Sequence, residues 1–231
     1  MAVESEERSI ASSVKELVSY HPSVHDCLTS DLLNYSAVAD FLKPEVESNL
    51  KKKGIRSESI KVALIRLRDE LKRETHAILE KRISNIIKNS KLELKNEVIV
   101  MTVGIDSFRD RATDVVLALD RSRFMQLTQG VSSATLALDS DLYNDLKGIF
   151  AGCDVREVIP DQSAIVMISP KEIMETPGVI SYIVSSLSRN GVNITQIMSC
   201  HTDTVLIVSR KQALQAYSIL ENAILGIRQL G

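Results

Sequence analysis

The chain has no tryptophan, and only 4% of its 231 residues are aromatic. Proteins that hold single-stranded nucleic acid stack its bases on aromatic side chains, so the composition argues against that mode of binding. Before Gly104 the only glycine is Gly54. A phosphate loop exposes backbone N–H groups through successive glycines at the start of a helix. The N-terminal part of the chain therefore has no nucleotide-binding loop of that kind.

Cysteine and long apolar runs are also scarce. Cys27, Cys153 and Cys200 lie far apart and form no C-x-x-C motif, which favours reduced thiols in a cytoplasmic protein. No apolar run reaches 18 residues, and the first residues are acidic and polar rather than signal-like. We expect a cytoplasmic protein without a membrane partner.

The sequence offers no convincing catalytic or metal-binding set. His21 and His25 are four residues apart, but Pro22 breaks any helix between them, so no metal site is expected. Cys200 and His201 fall in a predicted hairpin turn without an acidic partner. We expect no enzyme activity, no catalytic residue and no cofactor.

A repeat dominates the C-terminal part of the chain. The segment 123–150 aligns with 193–220 at an offset of 70 residues without a gap. Each copy reads as strand, turn, strand and helix, and each is preceded by an apolar strand, Val98–Val103 or Ala164–Ile168. A repeat of this kind dictates architecture, here two small α+β copies.

Two further segments, 154–159 and 223–227, are predicted as the fourth strands. Each copy then reads βαββαβ, a ferredoxin-like arrangement. The strands are apolar at every position, which requires cover on both faces. Helices can cover one face, and the sister copy or a second chain the other.

The N-terminal part is predicted to be helical. One helix is expected over Asp31–Leu42, ending before Lys43-Pro44. A long helix, or two collinear ones, begins at Ser57 with Ile60, Leu64, Leu67 and Leu71 on one face. The predicted organisation is a helical, helix-turn-helix-like module over 1–74 and a helical connector over 75–94. The two βαββαβ copies follow over 95–160 and 161–231.

The segment 174–208 begins METPGVISYIV and continues through RNGVNITQI to a second apolar strand. This pattern resembles the ACT domain, particularly the regulatory ACT domains at the C-terminus of aspartate kinases. The resemblance is strong over 163–222 and weaker over 95–160, which has no Pro-Gly. The two copies match the aspartate kinase layout, whereas the kinase part is absent. The N-terminal module resembles, less specifically, the helix-turn-helix modules of archaeal ACT-containing proteins. The resemblance implies a regulatory, ligand-binding unit without its enzyme.

The turn at 176–178 is the candidate effector site. Thr176 is placed to cap a helix that starts at Pro177, and Gly178 has no Cβ to keep a ligand from the backbone. Free N–H groups and the positive end of the helix dipole suit a carboxylate, and the Asn193 amide can donate and accept. By motif position the resemblance implies an effector site formed by Met174, Glu175, Thr176, Pro177, Gly178, Val179, Asn193, Ile194 and Thr195. The same turn is also simply a good helix start, so a structural or dimerising role stays open. For the first copy, structural packing is favoured.

A basic stretch in the N-terminal module is the one feature that points to nucleic acid. Residues 43–73 carry ten bases and five acids, whereas residues 1–42 carry two bases and seven acids. The candidate patch for DNA or a protein partner comprises Lys51, Lys52, Lys53, Arg56 and Lys61.

The preferred function is a non-catalytic regulator that binds a small-molecule effector, an amino acid, and forms a homo-oligomer, with a dimer favoured. The alternatives are a DNA-binding transcriptional regulator and a purely oligomerising interaction protein.

Overall fold

The computed structural model describes residues 9–73, 76–118 and 122–230. The chain divides into two compact units, Met1–Glu80 and Lys81–Gly231. The elements, in chain order, are α1 (Ile10–Tyr20), α2 (Pro22–Thr29), α3 (Tyr35–Asn49), α4 (Ser57–Arg73), α5 (His76–Asn89), β1 (Lys91–Gly104), α6 (Ile105–Ala118), β2 (Met125–Gln129), β3 (Ser133–Asp139), α7 (Ser140–Ile149), β4 (Val155–Ile168), a 3₁₀ helix (Lys171–Glu175), α8 (Val179–Ser188), β5 (Ile194–Cys200), β6 (Asp203–Ser209) and α9 (Ala213–Leu230).

Helices α1 to α4 of the first unit pack around one hydrophobic core. The Ser9 side chain caps α1 by accepting the Ser12 N–H at 3.1 Å, and Asn34 caps α3 by accepting the Ala37 N–H at 3.2 Å. The core is built from one apolar face of each helix and includes Val14, Leu17, Leu28, Leu42, Val46, Ile60 and Leu64. The predicted helical nature of this part is confirmed.

Helix α3 does not end before Lys43-Pro44, so that prediction was wrong. It continues to Asn49 with Pro44 inside it. Leu42 and Val46, one turn apart, are both completely buried in the core, whereas Pro44 is exposed. Burial of this face offsets the backbone hydrogen bond that proline removes.

In the second unit, the described residues form one six-stranded sheet with strand order β2-β3-β1-β4-β6-β5. Every neighbouring pair is antiparallel. The central strands β1 and β4 are each 14 residues long, and each serves both copies of the repeat.

The strands β1 and β4 each continue from one copy into the other, and the second copy takes its outer strand from the residues that precede the first copy. In the first copy the order is β2, β3, the second part of β1 (98–104) and the first part of β4 (155–159). In the second copy it is β5, β6, the second part of β4 (162–168) and the first part of β1 (91–95). Both copies therefore have the strand order of a ferredoxin-like fold, and the α+β class is confirmed.

The fourth strand of the second copy is not where the sequence placed it. Residues 223–227 lie inside α9, because Ala213, Ala216, Leu220 and Ile224 form a buried helical stripe. The place beside β4 is taken by residues 91–95 of β1. Residues 91–94, assigned to the helical connector, are therefore the start of a strand.

The sheet face opposite the helices is buried within the single chain. Val98, Val100 and Ala137 of the first copy form one cluster with Val166 and Ile207 of the second. Each of these side chains is at most 7% exposed. The sister copy thus provides the cover that the fully apolar strands require, one of the two alternatives predicted.

Candidate functional site

The turn that precedes α8 differs from the predicted helix start. A 3₁₀ helix ends at Glu175, and α8 begins only at Val179, with Gly178 at the N-cap position and no side-chain cap. Gly178 has a φ of +89°, a left-handed conformation that cannot lie inside a right-handed helix. The prediction that Thr176 caps a helix starting at Pro177 was therefore wrong.

Thr176 instead has an unsatisfied hydroxyl at this turn. The residue is 5% exposed, and among the residues that the structure describes none forms a hydrogen bond with its Oγ1. Leaving a buried hydroxyl unpaired costs about 1–3 kcal/mol. The atom is inaccessible to solvent, so a ligand reaches it only if the turn rearranges.

Gly178 contacts α5 rather than open space. A Cβ at this position would lie 3.0 Å from Ile83 Cδ1. Ile83 packs on a cluster that contains Val179 and Ile183 of α8. The expectation that Gly178 leaves this side of the backbone open to a ligand is thus not met, because Ile83 fills the space.

At the start of β5, the side chain of Asn193 is exposed and that of Thr195 is hydrogen-bonded. The backbone N–H of Asn193 donates to Gln212 Oε1 at 3.4 Å. The residue is exposed, so its side-chain amide is accessible to a ligand. The Thr195 hydroxyl donates to Gln162 Oε1 at 2.8 Å.

The two predicted segments lie at opposite ends of the second copy. The turn 176–178 follows the end of β4, where the Ser169 N–H donates to the Thr202 carbonyl, whereas the start of β5 is level with Gln162 at the other end of that part of β4.

The corresponding turn of the first copy is closed. The Gly104 N–H donates to the Asp154 carbonyl at 2.8 Å, and the Ser107 hydroxyl accepts the Asp154 N–H at 3.1 Å. A Cβ on Gly104 would lie 2.2 Å from the Asp154 carboxylate. These contacts favour a structural role for the first copy.

Asp139 fixes the start of α7. Its carboxylate accepts the N–H groups of Leu142 at 2.9 Å, Arg123 at 3.0 Å and Phe124 at 3.1 Å. Burial raises the pKa of Asp139, but these backbone hydrogen bonds outweigh burial and leave the pKa below its ordinary value.

A cavity of about 420 Å³ lies where β1 and β4 pass from one copy to the other. Glu97 of β1, Asp161 and Gln162 of β4, Ser140 of α7 and Arg210 after β6 line it. The sequence interpretation missed this site. The sequence signal for it is the polar residues that interrupt the apolar strands at 95–97 and 161–162.

The basic patch lies on the turn between α3 and α4. Glu47 Oε1 accepts the N–H groups of Gly54 at 2.9 Å and Ile55 at 3.0 Å and so fixes this turn. Residues Lys51, Lys52, Lys53 and Arg56 are exposed, and Lys61 pairs with Glu58 at 3.9 Å. The turn spans residues 50–56, longer than the three or four residues of a typical helix-turn-helix.

Residues 9–73, 76–118 and 122–230 contain no group of three or more His, Cys, Asp or Glu side chains that could hold a metal ion. Over the same ranges no helix has the length and apolar character needed to cross a bilayer.

Comparison with protein families matches residues 157–222 to the ACT domain. The matched residues cover most of the second copy of the repeat. Among curated proteins, no significant sequence match was found.

Several solved structures are similar in part. The aspartate kinase of Clostridium acetobutylicum is 18% identical with a TM-score of 0.48, over 58% of this chain and 34% of that chain. The regulatory subunit of aspartate kinase from Thermus thermophilus, in its ligand-free form, is 20% identical with a TM-score of 0.45, over 58% and 97%. E. coli aspartokinase III in complex with aspartate and ADP is 19% identical with a TM-score of 0.44, over 58% and 33%. The matched part thus spans about a third of the two longer aspartate kinases.

Proposed function

We propose that the protein is a non-catalytic regulator that binds a small-molecule effector, an amino acid, through its ACT copies in the cytoplasm. The observation that carries the proposal is the buried, unpartnered Thr176 hydroxyl at the turn of the matched ACT segment.

The effector site in this proposal is formed by the turn 174–179 of one subunit and residues 193–195 of another, because within one chain these segments lie at opposite ends of the second copy. The N–H groups at the start of α8 and the helix dipole attract the effector carboxylate. The Thr176 hydroxyl, which is inaccessible in the apo protein, supplies a hydrogen bond once the turn opens toward the ligand, and the exposed Asn193 side-chain amide of the second subunit provides donor and acceptor groups. Because Ile83 fills one side of Gly178, the effector approaches from the solvent side of the turn.

Regulation follows if the effector binds one arrangement of domains or subunits more tightly than another. A thermal-shift screen of the twenty amino acids tests the binding step. An effector at 100 times its dissociation constant adds about 2.7 kcal/mol to the free energy of unfolding. If no amino acid raises the melting temperature, the proposed function is refuted.

A homodimer is part of the proposal. The outer strands β2 and β5 each pair with one neighbour in the chain, and Leu127 and Ile197 on them are 42% and 43% exposed. Unpaired strand edges are templates for pairing with another chain. Light scattering coupled to gel filtration measures the mass. A dimer whose stability no amino acid changes would favour the purely oligomerising alternative, and a monomer would contradict this part.

The basic turn supports DNA binding as a second candidate. Glu47 fixes a turn that presents Lys51, Lys52 and Lys53 to solvent, and the described residues provide no ion pair for these three lysines. Charge reversal of the three should abolish salt-dependent retention on duplex DNA. No retention of the wild-type protein at low salt would exclude this candidate.

A further inference from the structure

The cavity between the copies is separate from the turn at α8. Its volume of about 420 Å³ falls within the range of about 300–1,000 Å³ that is usual for small-molecule sites. It lies at the points where β1 and β4 pass from one copy to the other, so both copies contribute to its lining.

Two strained carboxylate residues line the cavity. Glu97 has a φ of 60° and Asp161 a φ of 54°, a left-handed conformation that is uncommon for residues other than glycine. Both lie where the pairing of β1 with β4 shifts register. Bulges re-aim side chains beside active sites, and backbone strain is concentrated at functional positions.

A guanidinium group lies at the same cavity. Arg210 follows β6, and its backbone N–H donates to the Asp161 carbonyl at 2.8 Å. Over the described residues, no ion pair joins the side chains of Glu97, Asp161 or Arg210 to each other or to other groups. The three charges therefore remain available to a ligand.

The buried side chain of Gln162 gives the cavity a fixed wall. This residue is 5% exposed. Its Nε2 donates to the Pro160 carbonyl at 3.0 Å, and its Oε1 accepts the Thr195 hydroxyl at 2.8 Å. Because both ends of the amide are held, this wall should change little when a ligand enters.

We propose that this cavity binds a free amino acid, with its ammonium group held by Glu97 and Asp161 and its carboxylate by Arg210. Two negative charges and one positive charge complement a zwitterion. A dicarboxylate would meet two like charges, and a divalent cation would be repelled by Arg210. The inference shares the amino-acid effector with the proposed function but places binding at a different site.

Titration calorimetry on the full chain tests the site, with each of the twenty amino acids as the probe. Arg210→Gln and Asp161→Asn should each weaken binding about tenfold or more, since hydrogen bonds to charged groups are among the stronger ones. Asparagine tolerates the left-handed conformation of Asp161. Lys211→Gln and Glu157→Gln are matched controls: both residues are exposed and lie outside the cavity lining, so these changes should alter affinity less than about twofold.

Thr176→Val separates this inference from the proposed function. If only Thr176→Val weakens binding, the cavity proposal is overturned and the proposed function stands. Unchanged affinity in Thr176→Val, with loss in Arg210→Gln and Asp161→Asn, supports the cavity. Methylammonium and acetate serve as single-charge probes, and methylammonium binding as tight as that of the amino acid would refute recognition of a zwitterion. If the wild-type protein binds no amino acid, both proposals fail.

Discussion

Thr176→Val should make the ligand-free protein more stable and less responsive to its effector. Valine has nearly the same shape as threonine but no hydroxyl, and the Thr176 hydroxyl is buried without a partner. Since such a group costs about 1–3 kcal/mol, its removal should raise the free energy of unfolding by about 1 kcal/mol. For a chain of this size the melting temperature should rise by about 2–4 °C.

Thr204→Val is the matched control. Thr204 lies in β6, is completely buried, and also has an unpartnered Oγ1. Both variants should gain stability without effector, measured by urea unfolding followed by circular dichroism. With the effector at saturation, Thr204→Val should keep the added stability and Thr176→Val should lose most of it. Destabilisation of ligand-free Thr176→Val, or an equal effector response in both variants, would refute the reasoning.

Three further changes test other contacts in the same unfolding assay. Gly178→Ala should destabilise by about 1–2 kcal/mol through its left-handed φ alone. It should cost more than Gly191→Ala, because Gly191 has a φ of +73° but nothing within 4 Å of an added Cβ. Asp139→Asn keeps a cap but removes the charge. The lowered pKa of Asp139 gives stability that is present above its unfolded pKa of about 3.9 and lost as the pH falls through the folded pKa. The wild-type advantage over Asp139→Asn should therefore disappear in acid. Glu47→Ala should destabilise the first unit by about 1–3 kcal/mol, because one carboxylate oxygen holds two N–H groups.

Each of these three predictions has an outcome that would contradict it. Equal losses in Gly178→Ala and Gly191→Ala would mean that the Ile83 contact yields without cost. A constant difference between the wild-type protein and Asp139→Asn at all pH values would show that the charge contributes nothing. Glu47→Gln is the control for Glu47→Ala, since an amide oxygen can accept the same N–H groups, and equal stability of the two would argue against the hydrogen bonds.

Local patterns predicted the elements well where one face of a helix or strand is buried. The stripe from Ile60 to Leu71 appears as α4, and the apolar strands of both copies are in the sheet. The five residues 223–227 were misread because a short apolar run fits a strand or a buried helix equally. Pairing of 91–95 with the second copy depends on contacts some 70 residues apart, which periodicity does not encode.

The turn of the candidate site was predictable from its motif, but the geometry of that turn was not. The Thr-Pro-Gly motif marked the turn, but the start of α8 depends on the left-handed Gly178 beside Ile83, a tertiary contact. The cavity escaped notice because its charged residues are distant in sequence. Only the pairing of β4 with β1 on one side and β6 on the other brings Glu97, Asp161 and Arg210 to one place.

The shared central strands mean that the second half of the sheet is not a self-sufficient piece, because one of its four strands precedes the first half in the chain. A fragment cut at residue 160 would leave the C-terminal half without 91–95 along one side of β4 and expose that side to aggregation. We therefore expect the two halves to occur together in one chain and to unfold in a single transition. A change that distorts β1 or β4 in one half also reaches the other half through the continuous backbone of the strand.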